Sequence, residues 1–271
     1  YGAIAAKLFN IKTIVMITGL GTAFIADNWI TRLVKRLYRF ALSSVATVFF
    51  QNNDDKGLFL KNNLIKPNVC ELTPGSGIDT CQFTYSPLPQ NSEITFILIA
   101  RMLWDKGIDE YVQAARIIKL KYPNTKFQLL GALGVENRTA ISDERMAAWV
   151  KEGSVEYLGE TNDVRAYIEK SSCVVLPSYR EGTSRVLLEA SSMGRPVITT
   201  DVPGCREVVE NRITGLLCRP KDHGDLSKKM EIMINLSFEK RKIMGIKGRE
   251  KIKKEFNQDI VIDLYLNAIE N

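Results

Sequence analysis

Two glutamates eight positions apart lie in a segment whose residue types could bind a phosphorylated ligand. Glu181 precedes a predicted helix and Glu189 lies on it, after a short apolar run. Gly182 lets a ligand approach the backbone closely, and the N–H groups near Thr183 and Ser184 at the helix start favour an anion. A carboxylate such as Glu189 can also accept hydrogen bonds from ribose hydroxyls. These residues predict a site for a nucleotide diphosphate, and a surface helix with ordinary acidic residues is the alternative.

A pair of cations occupies a similar place earlier in the chain. Arg101 and Lys106 follow the apolar run 94–100 and precede an amphipathic pattern at 108–120. Two cations at such a position can bind a diphosphate and stabilise its charge as it leaves. A surface arginine beside a Lys-Gly turn is the alternative that these two residues alone leave open.

Both segments require strands that end where the polar residues begin. The chain alternates short apolar runs with amphipathic helices, which is typical of α/β structure with parallel sheets. Ligands of open parallel sheets bind beyond the carboxyl ends of the strands. The predicted strands are 13–18, 46–50, 69–72, 94–100, 127–130, 155–158, 173–176 and 197–200. Helices are predicted at 3–8, 29–42, 53–60, 108–120, 162–170 and 184–193, and from residue 224 the chain is predicted to be mostly helical.

The overall composition indicates a globular protein and excludes several classes of site. Apolar residues make up 45% of the 271 residues and charged residues 25%, and no run of eighteen apolar residues predicts a membrane-spanning helix. The five cysteines include no C-x2-C pair, and His223 is the one histidine, so a zinc site or a disulfide framework is not expected. A reducing cytoplasm fits this cysteine usage. The net charge of +6 is mild, and no nucleic-acid partner is expected.

No metal is expected at the site. The sequence contains no Asp-x-Asp motif, and Asn53 and Asp54, after strand 46–50, are explained as caps of a short helix. Arg101, Lys106 and the helix start can neutralise a leaving diphosphate instead. We therefore expect neither a metal nor a cofactor other than the donor substrate itself.

Together these segments resemble glycosyltransferase family 4, whose members have the GT-B fold and an E-x7-E motif. The resemblance covers nearly the whole chain and includes the segments 73–79 and 201–204. It implies two Rossmann-like domains, with Arg101 and Lys106 on the donor diphosphate. It also implies that Glu181 contacts the donor sugar.

The same resemblance assigns further donor contacts. It implies that Glu189 binds the ribose, that the backbone around Thr183 and Ser184 meets phosphate, and that the base stacks near Tyr157 and Leu158. It also implies retaining transfer, in which the departing diphosphate assists deprotonation of the acceptor on the same face of the sugar.

The beginning of the chain resembles a smaller group within this family. Residues 1–8 and 18–24 resemble bacterial enzymes that extend polyprenyl-diphosphate-linked glycans, often from UDP-GalNAc or a related UDP-hexose. This implies a nucleotide-sugar donor, a lipid-linked saccharide acceptor and a role in bacterial surface polysaccharide or glycoprotein glycan synthesis. Gly21 belongs to the same segment and is assigned to the donor site, with a tight turn at a strand end as the alternative.

The resemblance also divides the chain into domains. Residues 1–85 are expected to form the C-terminal part of the acceptor-side domain, and 86–93 a linker. Residues 94–254 are expected to form the donor-binding domain, and 255–271 a helix that packs back toward the first domain. Because the chain lacks an initiator Met and the longer first half of family members, we expect an incomplete first domain and poor activity.

Three other functions are weighed against this one. An inactive nucleotide-sugar-binding module would share the same residues. A GT-B-like sugar-nucleotide epimerase would need catalytic acids and histidines that the sequence does not show. A Rossmann oxidoreductase would need G-x-G-x-x-G, but Phe24 stands where the third glycine belongs.

The helix predicted at 29–42 has a basic face and an apolar face. The basic face carries Arg32, Lys35, Arg36 and Arg39. The apolar face carries Leu33, Leu37 and Phe40, with Phe24, Ile25 and Trp29 upstream. Such a helix can lie on anionic lipid, so we expect peripheral contact with the cytoplasmic face of the inner membrane. A solvated basic face over an ordinary core stripe is the alternative.

Overall fold

The computed structural model of the chain describes residues 2–19, 29–90 and 93–270. The chain forms two compact units. The first unit comprises Tyr1–Gly77 and Gln258–Asn271, and the second unit comprises Ile78–Asn257. This division lies upstream of the segment 86–93, of which residues 91 and 92 fall outside the described ranges. The domain boundaries inferred from the sequence stay a prediction.

The elements alternate as the sequence predicts. The strands are β1 (Ile14–Ile17), β2 (Thr47–Phe50), β3 (Cys70–Leu72), β4 (Thr95–Ile99), β5 (Lys126–Leu130), β6 (Glu156–Tyr157), β7 (Cys173–Leu176), β8 (Val197–Thr200) and β9 (Gly215–Cys218). The helices are α1 (Gly2–Leu8), α2 (Trp29–Ala41), α3 (Asn53–Lys61), α4 (Ile108–Lys121), α5 (Asp143–Lys151), α6 (Arg165–Lys170), α7 (Arg185–Ser192), α8 (His223–Asn235), α9 (Phe238–Glu255) and α10 (Gln258–Glu270). Strand β9 and helix α5 are additions to the elements predicted from the sequence.

The first unit is built on a parallel sheet in the order β1-β2-β3. The central strand β2 is apolar and buried, as expected for a strand covered on both faces. Phe50 of β2 meets Phe59 of α3 edge to face at 5.1 Å, and Phe59 meets Tyr38 of α2 at 5.2 Å. Tyr265 of α10 packs on Phe49 at 4.9 Å, so the last helix completes the core of the first unit.

Helix α3 is capped one residue earlier than the sequence indicates. Its N-cap is Asn52, whose side-chain oxygen accepts the N–H of Asp55 at 2.8 Å. The prediction that Asn53 and Asp54 are the caps is therefore wrong in register. Asp54 and Asp55 lie in the first turn, where the helix dipole favours acidic side chains, so the acidic pair still has a structural explanation.

The second unit contains a six-stranded parallel sheet in the order β6-β5-β4-β7-β8-β9. The strand order reverses between β4 and β7, which are direct neighbours with Phe96 opposite Cys173 and Ile97 opposite Val174. Loops that leave two such strands diverge to opposite sides of the sheet and open a crevice at their carboxyl ends. The loops after β4 and β7 are those that carry the predicted site residues.

Alternation along β4 explains how the sheet is covered. Phe96 and Leu98 belong to one buried cluster, which includes the inner face of α4, whereas Ile97 and Ile99 belong to a second cluster, which includes α7. Phe96 stacks on Phe127 of β5 at 5.4 Å. Cys173 is fully buried in β7.

A buried arginine anchors the start of the second unit. The guanidinium of Arg195 donates to the carbonyl oxygens of Ser86, Pro87, Ile168 and Glu169 at 2.9 Å each. Burial lowers its pKa to about 10, and the carbonyl oxygens replace the water it has lost.

Among the described residues, no helix is long and apolar enough to cross a membrane.

Candidate active site

The loops after β4 and β7 are in direct contact. A Cβ atom on Gly107 would lie 2.1 Å from the carbonyl oxygen of Pro177, and the residue has a φ of +73°, so glycine is required there. The carbonyl of Asp105 accepts the N–H of Tyr179 at 2.9 Å and the hydroxyl of Ser178 at 3.2 Å. The two segments that the sequence singled out separately therefore form one structure at the switch point.

Two of the predicted site residues form an ion pair. The ammonium of Lys106 lies 2.6 Å from Oε1 of Glu181, and both side chains are largely buried, with 22% and 15% exposed. The sequence assigned these groups to different parts of a donor. Their contact is compatible with both assignments, because an ammonium has three N–H donors and can hold a carboxylate and a phosphate together.

The turn after β8 supports the loop that carries Glu181. The N–H of Glu181 donates to the carbonyl of Pro203 at 3.1 Å, and the N–H of Ser184 donates to the carbonyl of Gly204 at 2.9 Å. The N–H of Gly204 in turn donates to the carboxylate of Glu207 at 2.7 Å. The sequence identified 201–204 as a glycine-containing turn, but it did not indicate this bracing role or the contribution of Glu207.

The bond to Gly204 corrects one expectation. The sequence predicted that the backbone N–H of Ser184 is available to an anion, but that N–H is already donated to protein and the residue is buried. The physical reason is that α7 begins at Arg185, which leaves Ser184 as the N-cap residue. Gly182 and Thr183 lie between Glu181 and this cap, and their role as phosphate contacts stays a prediction.

Glu189 lies in the second turn of α7 and is 8% exposed. Its Oε1 accepts from Nε of Arg185, one turn earlier, at 2.9 Å. Burial raises the pKa of this carboxyl above its usual range, the charge of Asp163 adds to the increase, and Arg185 opposes it. Arg185 therefore favours the ionised form of a carboxylate that burial disfavours, a partnership that an i, i+4 spacing could have indicated.

The predicted base-binding residues lie farther along the same edge of the sheet. Tyr157 ends β6 and Leu158 follows it; β6 is the edge strand and is separated from β4 by β5. The hydroxyl of Tyr157 donates to the carbonyl of Gly131 at 2.8 Å, at the end of β5. Both residues are half-buried. The carboxyl ends of the strands thus carry Tyr157 and Lys106 on one edge, as the parallel topology requires.

Arg101 is not joined to this cluster in the described structure. Its side chain is exposed and forms no ion pair with any described residue. Gly21 lies outside the described residues, so its assignment to the donor site stays a prediction. His223 begins α8 next to its N-cap Asp222.

Within the described ranges, no three acidic, cysteine or histidine side chains are grouped in a way that could hold a metal ion. The expectation of metal-independent chemistry stays a prediction.

Comparison with known families places this site in a defined region of the chain. The family model for glycosyl transferases group 1 matches residues 86–251, which include the loops after β4, β7 and β8. This match covers more than half of the chain.

Two curated bacterial proteins are similar over nearly the whole chain. N,N'-diacetylbacillosaminyl-diphospho-undecaprenol alpha-1,3-N-acetylgalactosaminyltransferase of Campylobacter jejuni is 28% identical, over 98% of this chain and 72% of its own length. UDP-Gal:alpha-D-GlcNAc-diphosphoundecaprenol alpha-1,3-galactosyltransferase of Escherichia coli is 26% identical, over 100% of this chain and 73% of its own length.

Solved structures agree with the fold. Anabaena Alr3699/HepE in complex with UDP-glucose superposes with a TM-score of 0.84 at 18% identity, over 99% of this chain and 75% of that one. Sucrose-phosphate synthase of Thermosynechococcus elongatus gives a TM-score of 0.81 at 22% identity, over 99% of this chain and 69% of its own. The α/β fold with two parallel sheets is thus that of GT-B proteins, and the predicted fold class is confirmed.

Proposed function

Because the chain belongs to the group 1 glycosyltransferases, we propose that it moves a hexose or N-acetylhexosamine from a UDP-sugar to a lipid-linked glycan. The observation that carries this proposal is the Lys106–Glu181 pair at the strand-order reversal, with the buried Glu189 on the helix that follows. The set combines a cation for phosphate with carboxylates for hydroxyl groups.

The cations are assigned to the donor diphosphate. Arg101 is exposed after β4, so its guanidinium is available for bidentate contact with phosphate oxygens. Lys106 shares its ammonium between Glu181 and a phosphate oxygen. As the bond to the sugar breaks, charge builds on the diphosphate, and these fixed cations stabilise it without a metal.

The two carboxylates are assigned to hydroxyl groups of the donor. Glu181 is held beside Lys106 and is assigned to the sugar. Glu189 is assigned to the ribose, because an ionised carboxylate can accept from two vicinal hydroxyls. Glu189→Gln should therefore weaken the binding of UDP more than the binding of 2′-deoxy-UDP. Equal losses of affinity for the two ligands would show that Glu189 does not bind the ribose.

We assign retention of anomeric configuration to the transfer. In that reaction the acceptor hydroxyl attacks from the face that the diphosphate leaves, and a diphosphate oxygen takes the hydroxyl proton. The support is the fixed cation beside Glu181, which holds the leaving group next to the sugar. The products are UDP and the extended glycan.

A polyprenyl-diphosphate-linked saccharide is the proposed acceptor. The Campylobacter and Escherichia relatives are named for undecaprenol-diphosphate-linked substrates, and both align with nearly all of this chain. The reaction would then extend a lipid-linked glycan for bacterial surface polysaccharide or glycoprotein synthesis on the cytoplasmic side of the membrane.

Helix α2 is the proposed peripheral membrane contact. Its apolar face is not a core stripe in the described structure, since Leu33, Leu37 and Phe40 are 48%, 51% and 53% exposed. Arg32 and Arg36 are exposed beside it. Exposed apolar side chains beside cations suit an anionic lipid surface, where each cation contributes about 1 kcal/mol. Phe24 and Ile25, assigned to the same contact, lie outside the described residues.

Liposome sedimentation tests this contact. The protein should sediment with phosphatidylserine-containing vesicles at low salt and be released at high salt, because salt screens the attraction. A variant with Arg32, Lys35, Arg36 and Arg39 reversed in charge should stay in solution while it binds UDP like the parent. If the parent does not sediment with the vesicles, or if the charge-reversed variant still does, α2 is not the membrane contact.

Calorimetry and a donor screen test the proposed function. UDP should bind, and UDP-GalNAc, UDP-GlcNAc, UDP-galactose and GDP-mannose should differ, with one UDP-sugar consumed when a polyprenyl-diphosphate saccharide is supplied. Arg101→Ala and Lys106→Ala each remove a charge-assisted contact of about 1.5–3 kcal/mol and should weaken UDP binding at least tenfold. Lys151→Ala, at an exposed position on α5, is the matched control. UDP binding without sugar transfer would favour a nucleotide-sugar-binding module. Unchanged UDP affinity in both Arg101→Ala and Lys106→Ala would refute the assignment of these residues to the donor site.

A further inference from the structure

Tyr179 holds the segment that carries Lys106 at two points. Its N–H donates to the carbonyl of Asp105 at 2.9 Å, one residue before Lys106. Its hydroxyl donates to Oε1 of Glu110 at 2.7 Å, four residues after Lys106. Tyr179 itself lies two residues before Glu181. Tyr179 thus links both sides of Lys106, through its backbone N–H and its side-chain hydroxyl, to the loop that carries the ion-pair partner of Lys106.

The bond between Tyr179 and Glu110 is enclosed by its surroundings. Glu110 lies in the first turn of α4, where the helix dipole favours a carboxylate. Within the part of the chain that the structure describes, its second oxygen Oε2 is buried and has no hydrogen-bond partner. The ammonium of Lys221 lies 4.8 Å from the centre of the Tyr179 ring. The tyrosine hydroxyl is therefore the donor that the described structure gives to Oε1 of this carboxylate.

Several bonds that hold the loop use backbone carbonyls as acceptors. Asp105, Pro203 and Gly204 fix its course through backbone carbonyls, which most sequences could supply. The bond from Tyr179 to Glu110 instead depends on two particular residue types, and a hydrogen bond to a charged acceptor is stronger than one between neutral groups. Its removal leaves the loop in place but loosens its spacing from the Lys106 segment.

We propose that Tyr179 and Glu110 are positioning residues that set the distance between Glu181 and Lys106 in the donor site. This inference rests on the proposed function. Neither residue needs to touch the donor, and their effect is exerted through the loop. Glu181 is the group assigned to the sugar and lies two residues from Tyr179, so the sugar part of the donor should depend on this spacing more than the diphosphate that Lys106 holds.

The test compares Tyr179→Phe with a matched change elsewhere on α4. The hydroxyl of Tyr122 lies 3.3 Å from a carboxylate oxygen of Glu231, at the other end of the helix, so Tyr122→Phe also removes a tyrosine–glutamate bond. In Tyr179→Phe, affinity for the UDP-sugar that the parent prefers should fall about fivefold to twentyfold, while affinity for UDP changes less than twofold. The turnover number should fall by a similar factor, and Tyr122→Phe should behave like the parent in all three measurements.

Glu110→Gln separates positioning from a general loss of structure. Its amide oxygen can still accept the tyrosine hydroxyl, so the variant should retain most of the UDP-sugar affinity that Tyr179→Phe loses. Equal UDP-sugar affinity in Tyr179→Phe and Tyr122→Phe overturns the positioning role, as does an equal loss for UDP and UDP-sugar. A parent that binds no UDP-sugar overturns the proposed function and this inference with it.

Discussion

Gly204→Ala should displace the loop that carries Glu181, because Gly204 lies in the turn after β8 that supports this loop. A Cβ atom at this position would lie 2.2 Å from the carbonyl oxygen of Gly182 and 2.4 Å from that of Glu181. Both obstacles are backbone atoms, so no side-chain rotation relieves the overlap. The loop that carries Glu181 must move away from the turn after β8.

The size of the effect follows from this overlap. Ordinary contacts of a Cβ atom begin near 3.4 Å, so the loop must shift by about 1 Å. A displacement of about 1 Å in a catalytic group can lower the rate about a hundredfold, which equals about 2.7 kcal/mol. Because Lys106 donates to Glu181 at 2.6 Å, a shift of that size would also lengthen this contact beyond hydrogen-bond distance. The alanine adds about 1–2 kcal/mol of backbone strain at a φ of +81°.

Gly153→Ala provides the matched control. Gly153 has a φ of +78°, but no atom lies within 4 Å of the Cβ position, so the variant carries the strain without the overlap. The measurements are UDP release from the preferred UDP-sugar and unfolding by urea. Gly204→Ala should lose about a hundredfold in turnover, and Gly153→Ala should lose stability alone.

Comparison of the two alanine variants decides whether the brace matters. If Gly204→Ala turns over UDP-sugar at the rate of Gly153→Ala, the turn does not set the position of Glu181. Loss of turnover in both variants to the same extent would attribute the effect to backbone strain and would equally refute the reasoning.

Three further predictions concern stability, pH and metal. Arg195→Leu leaves several buried carbonyls without a donor and should lower the free energy of unfolding in urea by about 3 kcal/mol or more; a loss no larger than that of the exposed Arg138→Leu would contradict this. Arg185→Ala should raise the pKa of Glu189 further. Because UDP binding needs the ionised carboxylate, the variant should lose UDP affinity at a higher pH than the parent when both are titrated from about pH 8 to 5. The same pH profile in both proteins would contradict the pairing. EDTA should leave UDP binding and turnover unchanged, and a strict need for Mn²⁺ or Mg²⁺ would count against the proposed chemistry.

Sequence patterns predicted most of the fold because strands and helices here follow local rules. The stripe on α4 is buried as its spacing indicated, and β7 and β8 have the predicted bounds. Helix α5 and strand β9 escaped prediction because both are short, with nine and four residues, and β9 begins at a glycine. The cap of α3 was displaced by one residue because Asn52 and Asn53 are equally good caps in sequence, and only the backbone conformation distinguishes them.

The sequence indicated candidate residues for the site but not the contacts between them. The types and places of Lys106, Glu181 and Glu189 indicated phosphate and hydroxyl recognition. The ion pair of the first two joins segments far apart in sequence, and the bond from Tyr179 to Glu110 does so as well, so no local pattern could show them. The amide of Ser184 was misjudged because its partner, Gly204, belongs to a different loop.

The return of α10 to the first unit determines the order in which the chain becomes complete during synthesis. The ammonium of Lys12 donates to the carbonyl of Ile269, 257 residues later, and Phe49 is covered by Tyr265 of the same last helix. A ribosome adds roughly 5–20 residues per second. Synthesis of the second unit, which precedes α10, therefore takes on the order of ten to forty seconds. The unit that is translated first is therefore the last to close, and until then Phe49 lacks the aromatic cover of Tyr265.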